Sequence, residues 1–139
     1  MDAERIRTLL LKLPNVVETM QWGANLVFWV GDKAIGGKMF AVVDLDGKGG
    51  PLMSYAAGPE RFAELVEQEG IVPAPYLARA HWVAVERWDI FRPNQWMREL
   101  EAAHAIVHAK LPKRTRDVLA MPAKERKLII SQRKKAAKE

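Results

Sequence analysis

Two histidines, His104 and His108, are four residues apart, a spacing that places both imidazoles on one face of a helix. Zinc proteases use this spacing in the pattern HExxH, in which the glutamate is the general base. Here the intervening residues are alanine, isoleucine and valine, and the chain has no cysteine to complete a metal centre. The pair therefore predicts a half-buried helix face, and we expect neither a metal site nor any cofactor.

A second spacing resembles a calcium loop, because Asp44, Asp46 and Gly47 lie close together. An EF-hand loop requires a bidentate glutamate at its twelfth position and helices on both sides. The twelfth position here is Tyr55, and the flanking segments are strand-like, not helical. Residues 44–50 are therefore interpreted as a hairpin turn.

No other spacing predicts catalysis. The glycine pairs at 36–37 and 49–50 match neither the dinucleotide-binding pattern nor the P-loop. Glu64, Glu67 and Glu69 fall on one arc of a predicted helix, which is typical of a solvated face. No Ser–His–Asp or lysine-based constellation can be argued from spacing, and we therefore predict a protein that is not an enzyme.

The charge is unevenly distributed along the chain. Residues 1–109 contain 11 lysines and arginines against 14 acidic residues, whereas residues 110–139 contain 11 against 3. The net charges are therefore −3 and +8. Such a basic arm is typical of proteins that bind a polyanion. The alternative is that the segment is a solvated tail that improves solubility.

The elements that position these residues follow from hydrophobic periodicity. A helix is predicted over residues 2–13, an antiparallel meander of three or four strands over 16–57, and a further strand over 81–88. Two more helices are predicted from Pro59 to about Glu69 and from Pro93 to about Lys110. Two prolines in residues 71–78 predict a rigid connector that cannot be a central strand. This order of elements indicates an α+β fold.

Two features leave alternatives open. Most of the five tryptophans are expected in the core, with Trp88 and Trp96 expected to be partly exposed. The C-terminal segment can form a basic helix whose apolar cluster either docks on the domain or leaves the helix frayed. That cluster consists of Leu128, Ile129 and Ile130.

Several short motifs occur in the order seen in a known family. They are Trp22-Gly23 before a strand, GKMFA at residues 37–41, Pro75-Tyr76-Leu77 leading to His81-Trp82-Val83, and Leu111-Pro112-Lys113. Over about residues 5–116 the chain resembles the MmcQ/YjbR-like family of small bacterial proteins. The resemblance implies a frataxin/CyaY-like α+β sandwich over residues 1–116, with helices packed on one face of an antiparallel sheet. Residues 117–139 would then be a basic C-terminal extension.

The resemblance also implies DNA binding, which agrees with the basic arm. Iron binding of the frataxin type is not expected, because the first helix offers only Asp2 and Glu4 among basic residues. We therefore expect a non-catalytic nucleic-acid-binding module without sequence specificity, because phosphate contacts position a protein without reading bases. The residues expected to contact phosphates are Lys33, Lys38, Arg79, His81, Lys113, Arg114 and Arg116.

The sequence leaves two other functions open. The first is an adaptor that docks its basic C-terminal helix on an acidic protein partner, with the cluster at 128–130 as its apolar anchor. The second, a small-molecule pocket under the sheet, has no motif behind it. The chain lacks a long apolar run, and its first residues carry mixed charges, so we expect a soluble cytoplasmic protein without a membrane partner.

Overall fold

A computed structural model describes residues 1–47 and 50–138. The strands form one antiparallel sheet in the order β1-β2-β3-β4-β6-β5. They are β1 (Val16–Gln21), β2 (Asn25–Val30), β3 (Lys38–Asp44), β4 (Met53–Ala56), β5 (Ile71–Pro73) and β6 (Trp82–Val85). The helices are α1 (Ala3–Leu11), α2 (Pro59–Leu65), α3 (Pro93–Lys110), α4 (Lys113–Leu119) and α5 (Ala123–Lys138). The predicted α+β class is confirmed.

Local sequence signals explain where the first helices begin. The Asp2 carboxylate accepts a hydrogen bond from the backbone N–H of Arg5 at 2.8 Å, which caps α1. Proline occupies the first position of both α2 and α3, where its missing N–H costs no helical hydrogen bond.

Strand register assigns side chains to the two faces of the sheet. Tyr55 of β4 lies opposite Ala41 and Val83, and burial together with the Glu99 carboxylate of α3 raises the pKa of its hydroxyl. These positions therefore belong to the face that α1 and α3 cover, which we call the helix face. Alternate positions point away from the helices and form the open face, which includes Trp29, Met39, Val42, Asn25, Asp44 and Ser54.

The segment predicted as a connector is partly a strand. Residues Ile71–Pro73 form β5, which pairs with β6 at the edge of the sheet. An edge strand tolerates proline because one side of its backbone has no neighbouring strand to receive an N–H. The prediction that this segment is not a central strand is confirmed, whereas the connector begins only after Pro73.

Two tryptophans have exposures that the sequence did not predict. Trp96 is completely buried, its indole N–H donates to the Trp88 carbonyl at 3.2 Å, and its ring packs edge-on against Phe91. The prediction of partial exposure is therefore wrong for Trp96, although Trp88 is half-buried as expected. Trp22, in the turn between β1 and β2, is the exposed one, with 64% of its surface accessible.

The C-terminal segment folds back onto the domain. The Thr115 hydroxyl, which is buried in α4, donates to the Ile35 carbonyl at 2.7 Å. From α5, Ile129 and Ile130 pack against the core, and Lys134 forms an ion pair with Asp32 at 2.9 Å. The helix is therefore docked. The boundary between residues 116 and 117 stays a prediction, and α4 runs across it.

The hairpin predicted over residues 44–50 agrees with the antiparallel pairing of β3 and β4. Lys48 and Gly49 lie outside the described residues.

Candidate nucleic-acid interface

Lys33 is held by the tight turn that joins β2 to β3, residues 31–37, which we call the β2–β3 turn. The Asp32 carboxylate accepts from the Ala34 N–H at 2.9 Å and caps a short 3-10 helix over Lys33–Ile35. Gly36 ends this helix at a φ of 90°, a backbone conformation that glycine adopts without strain. The Lys33 ammonium then lies 5.8 Å from the centre of the Trp29 ring, within cation–π range.

Lys38 begins β3 at the same end of the sheet. Its ammonium donates to the Lys110 carbonyl at 3.4 Å, at the C-terminal end of α3. A helix C-terminus carries partial negative charge, so this position suits a cation. Lys38 is exposed, and the contact places it beside the beginning of α4.

Lys113, Arg114 and Arg116 are exposed on α4, while Thr115 between them is buried. The hydrogen bond from Thr115 to Ile35 attaches α4 to the β2–β3 turn, which carries Lys33. Lys113 also forms an ion pair with Asp117 one turn later, at 3.2 Å. The structure therefore brings five of the seven predicted residues together at one end of the sheet. We call this set, Lys33, Lys38, Lys113, Arg114 and Arg116, the basic end.

Arg79 and His81 form a separate group. Arg79 is exposed in a short 3-10 helix, and His81 follows it with a φ of 61° and packs edge-on against Phe62. Strand pairing places His81 at the same end of the sheet as Lys38. However, β6 lies two strands away from β3, a distance on the order of 10 Å.

Four lysines of α5 form a row that is not among the residues predicted from the sequence. Lys127, Lys134, Lys135 and Lys138 line one groove together with Ile130 and Ser131. Their spacing of seven, eight and eleven residues from Lys127 is the period of one helix face, and this signal was present in the sequence. The ion pair of Lys134 with Asp32 holds this row against the β2–β3 turn.

The histidine pair has a structural explanation. The His104 imidazole donates from Nε2 to the Pro14 carbonyl at 2.7 Å, and its ring packs on Phe40 and stacks on His108. Across residues 1–47 and 50–138, no three His, Cys, Asp or Glu side chains are arranged to hold a metal ion. The contacts of His104 join α3 to the end of α1 and to β3.

Stability is expected to depend on the protonation of His104. Burial lowers the pKa of His104 from its ordinary value of 6.5, the hydrogen bond to Pro14 opposes this change, and the charge of His108 adds to it. The unfolded chain therefore binds this proton at a higher pH than the folded chain. The stabilisation is complete above pH 6.5 and is lost as the pH falls through the folded pKa.

We expect the free energy of unfolding, measured in urea, to fall between pH 7.5 and pH 5, and the fall to be smaller in His104→Gln. An identical pH dependence in the two proteins would contradict this prediction. His108→Gln is the control: it removes the smaller contribution of His108 and leaves the burial of His104 and its hydrogen bond to Pro14, so most of the pH dependence should remain.

The apolar cluster on α5 is largely used inside the molecule. Ile129 and Ile130 pack against the core, whereas Leu128 is 60% exposed. An adaptor that docks by this helix would therefore have Leu128 as its apolar anchor. Among the described residues, no helix is both long enough and apolar enough to span a membrane.

The comparisons agree with the fold and with the resemblance. The chain is similar to the crystal structure of the Deinococcus radiodurans protein DR2400, which has the domain DUF419, with a TM-score of 0.74 and 28% sequence identity. The match covers 87% of this chain and 89% of that one. No curated protein matches the chain. The YjbR family model matches residues 11–106, which is well over half of the sequence, and the chain therefore belongs to the YjbR family.

Proposed function

We propose that this protein is a non-catalytic nucleic-acid-binding module that contacts DNA phosphates through its basic end and the lysine row of α5. The observation that carries the proposal is the docking of two basic helices on the β2–β3 turn. Thr115 fixes α4 to Ile35, and Lys134 fixes α5 to Asp32. The positive charge of the C-terminal segment is thereby gathered on one side of a rigid domain.

Docking distinguishes this arrangement from a tail that only improves solubility. A segment that folds on binding pays the entropy of ordering at that moment. Here α4 and α5 are already helical and packed, with Val118 and Leu119 buried. The cations are therefore held in place before a ligand arrives, which favours binding to a regular array of phosphates.

The proposed contacts are to the backbone of the nucleic acid. Lysine and arginine bind phosphates without regard to base sequence, so affinity is expected to vary little between duplex sequences. We expect Arg79 and His81 to act as a separate contact at the same end of the sheet. They would be reached by a ligand that crosses from β3 to β6.

The test is fluorescence anisotropy of a labelled DNA duplex titrated with the full-length protein across a salt series. If the five residues of the basic end and Lys127, Lys135 and Lys138 of α5 each neutralise one phosphate, the logarithm of the association constant falls with the logarithm of salt at a slope of about −7. Absence of binding at 50 mM salt would overturn the proposal.

Titration with polyglutamate of matched charge is the control for a general attraction to polyanions. Tighter binding to polyglutamate than to the duplex would favour the acidic protein partner over DNA.

A further inference from the structure

A groove of about 630 Å³ lies on the open face of the sheet, on the side opposite α1 and α3. Its floor is formed by open-face residues, among them Met39, Val42 and Ser54, and one wall is the turn Pro75-Tyr76-Leu77. Trp22 stands at another wall. The volume falls in the range of sites that bind small organic groups, and the lining is mostly apolar with a few polar atoms.

The two aromatic residues of the groove have an unusual combination of properties. Trp22 is 64% exposed and Tyr76 is fully exposed, so neither contributes much to the core. Both have positive φ angles, 49° and 66°, in the left-handed region where bulky side chains are strained. Glycine or asparagine would adopt either conformation at lower cost. Two strained, exposed aromatic rings beside one groove indicate a role in binding.

The polar groups of the groove are suited to the edge of a base. Asn25 and Asp44 lie directly opposite each other on β2 and β3, and Ser54 lies on the next strand. The Asn25 amide donates to the Trp22 carbonyl at 2.9 Å, which leaves the Asn25 oxygen as an acceptor. Acceptors of this kind bind the N–H groups of a base, and the Asp44 carboxylate repels a phosphate. A base, and not a phosphate, therefore fits the groove.

The groove is continuous with the cations at the basic end. Lys33 lies over Trp29, Trp29 pairs with Met39 across β2 and β3, and Met39 is part of the groove floor. On the other side, Arg79 follows Leu77 of the groove wall by two residues. Cations that can bind phosphates therefore flank a groove that can bind a base.

We propose that the groove holds an unpaired base of a single-stranded nucleic acid, stacked on Trp22 or Tyr76, while phosphates further along the strand contact the basic end. Only the phosphate contacts in this inference rest on the proposed function. Exposed aromatic rings beside a positively charged path are the usual means of binding single strands. The groove thus gives the protein a preference for unpaired nucleic acid that its cations alone would not give.

The test compares a labelled single strand with an abasic strand of the same length, which keeps the phosphates and lacks the bases. Stacking of one base raises affinity about 5- to 150-fold, and we expect an advantage of this size for the strand with bases. The advantage should be lost in the double variant Trp22→Asn, Tyr76→Asn. Binding of that variant to the abasic strand and to a duplex should be unchanged.

Met97→Asn is the matched control, because Met97 is also exposed but lies on α3, on the helix face. It should keep the full preference for the strand with bases. Melting temperatures show whether the variants fold. The double variant is expected to melt at the same temperature as the natural protein or higher, because asparagine relieves the strained backbone at both positions.

Two results would overturn the groove proposal: equal affinity for the two strands, or an undiminished preference for the strand with bases in the double variant. Loss of affinity for both the duplex and the abasic strand, with the preference for bases retained, would instead contradict the phosphate contacts and support the groove. The two proposals therefore fail in different measurements.

Discussion

Gly37→Ala is expected to lower the free energy of unfolding by about 3 kcal/mol or more, the upper part of the range for overpacking a closed site. A Cβ atom at residue 37 would lie 1.9 Å from the Gly31 carbonyl oxygen and 2.8 Å from that of Asp32. Both atoms belong to the backbone of the same turn, so no side chain can rotate to make room. Relief requires opening the turn, which breaks the 2.9 Å hydrogen bond from the Gly37 N–H to the Asp32 carbonyl.

The same substitution is expected to release the C-terminal helices. The β2–β3 turn receives α4 through the Thr115 hydroxyl at Ile35 and α5 through Lys134 at Asp32. Opening the turn displaces both acceptors together. Amide hydrogen exchange should therefore lose protection in α4 and α5 at denaturant concentrations where α1 and the sheet remain protected.

Gly50→Ala is the matched control for this prediction. Apart from its chain neighbours, no heavy atom of the described residues lies within 4 Å of the position that the Cβ of Gly50 would take. Alanine there is expected to leave stability unchanged or to raise it by up to about 1 kcal/mol, because it restricts the unfolded chain. Equal stability of the two variants in urea unfolding would contradict the proposed role of the β2–β3 turn.

The order of helices and strands could be predicted because its signals are local. Short apolar runs bounded by turn residues mark β2 and β3, and proline marks the beginnings of α2 and α3. The antiparallel pairing of β1, β2, β3 and β4 follows from the short turns between them, which leave no room for a crossover, whereas α2 separates β4 from β5. The edge position of β5 also follows from its proline, although residues 71–73 were not recognised as a strand.

Exposure of the tryptophans could be predicted only in part. Trp96 shares a helix stripe with Leu100, Ala103 and Val107, all of them buried, so its burial was indicated by helical spacing. The neighbouring loop, rich in polar residues, suggested exposure, and the helix stripe was the better guide. Trp22 gave no such signal, because its left-handed backbone in the β1–β2 turn becomes visible only in the structure.

The basic end depends on contacts between distant parts of the chain. Thr115 and Ile35 are 80 residues apart, and nothing in the sequence near either residue indicates that they meet. Charge counting located the basic arm but not its docking site. Five of the predicted phosphate-binding residues lie close together because α4 packs on the β2–β3 turn. Arg79 and His81 lie apart from them.

Substitution of the lysine row of α5 is expected to have a large effect on DNA binding. The triple variant Lys127→Gln, Lys135→Gln, Lys138→Gln removes three cations that are exposed and make no ion pair among the described residues. Lys134 is kept, because its ion pair with Asp32 helps to dock the helix. If each of the three neutralises one phosphate, the salt slope for duplex DNA becomes shallower by up to about 2.7, and affinity at 0.1 M salt falls on the order of 100-fold.

The control must distinguish a local binding surface on α5 from an effect of the total charge of the protein. Arg5→Gln, Lys12→Gln, Arg98→Gln removes the same charge from exposed positions on α1, at its C-cap and on α3, none of them on α5. If the attraction depends only on total charge, the affinity for duplex DNA should fall equally in both triple variants. Contacts at α5 would change the salt slope in the first triple variant alone. Equal loss in the two variants would therefore show that the C-terminal helices supply charge without forming the binding surface, and the proposed interface would have to be given up.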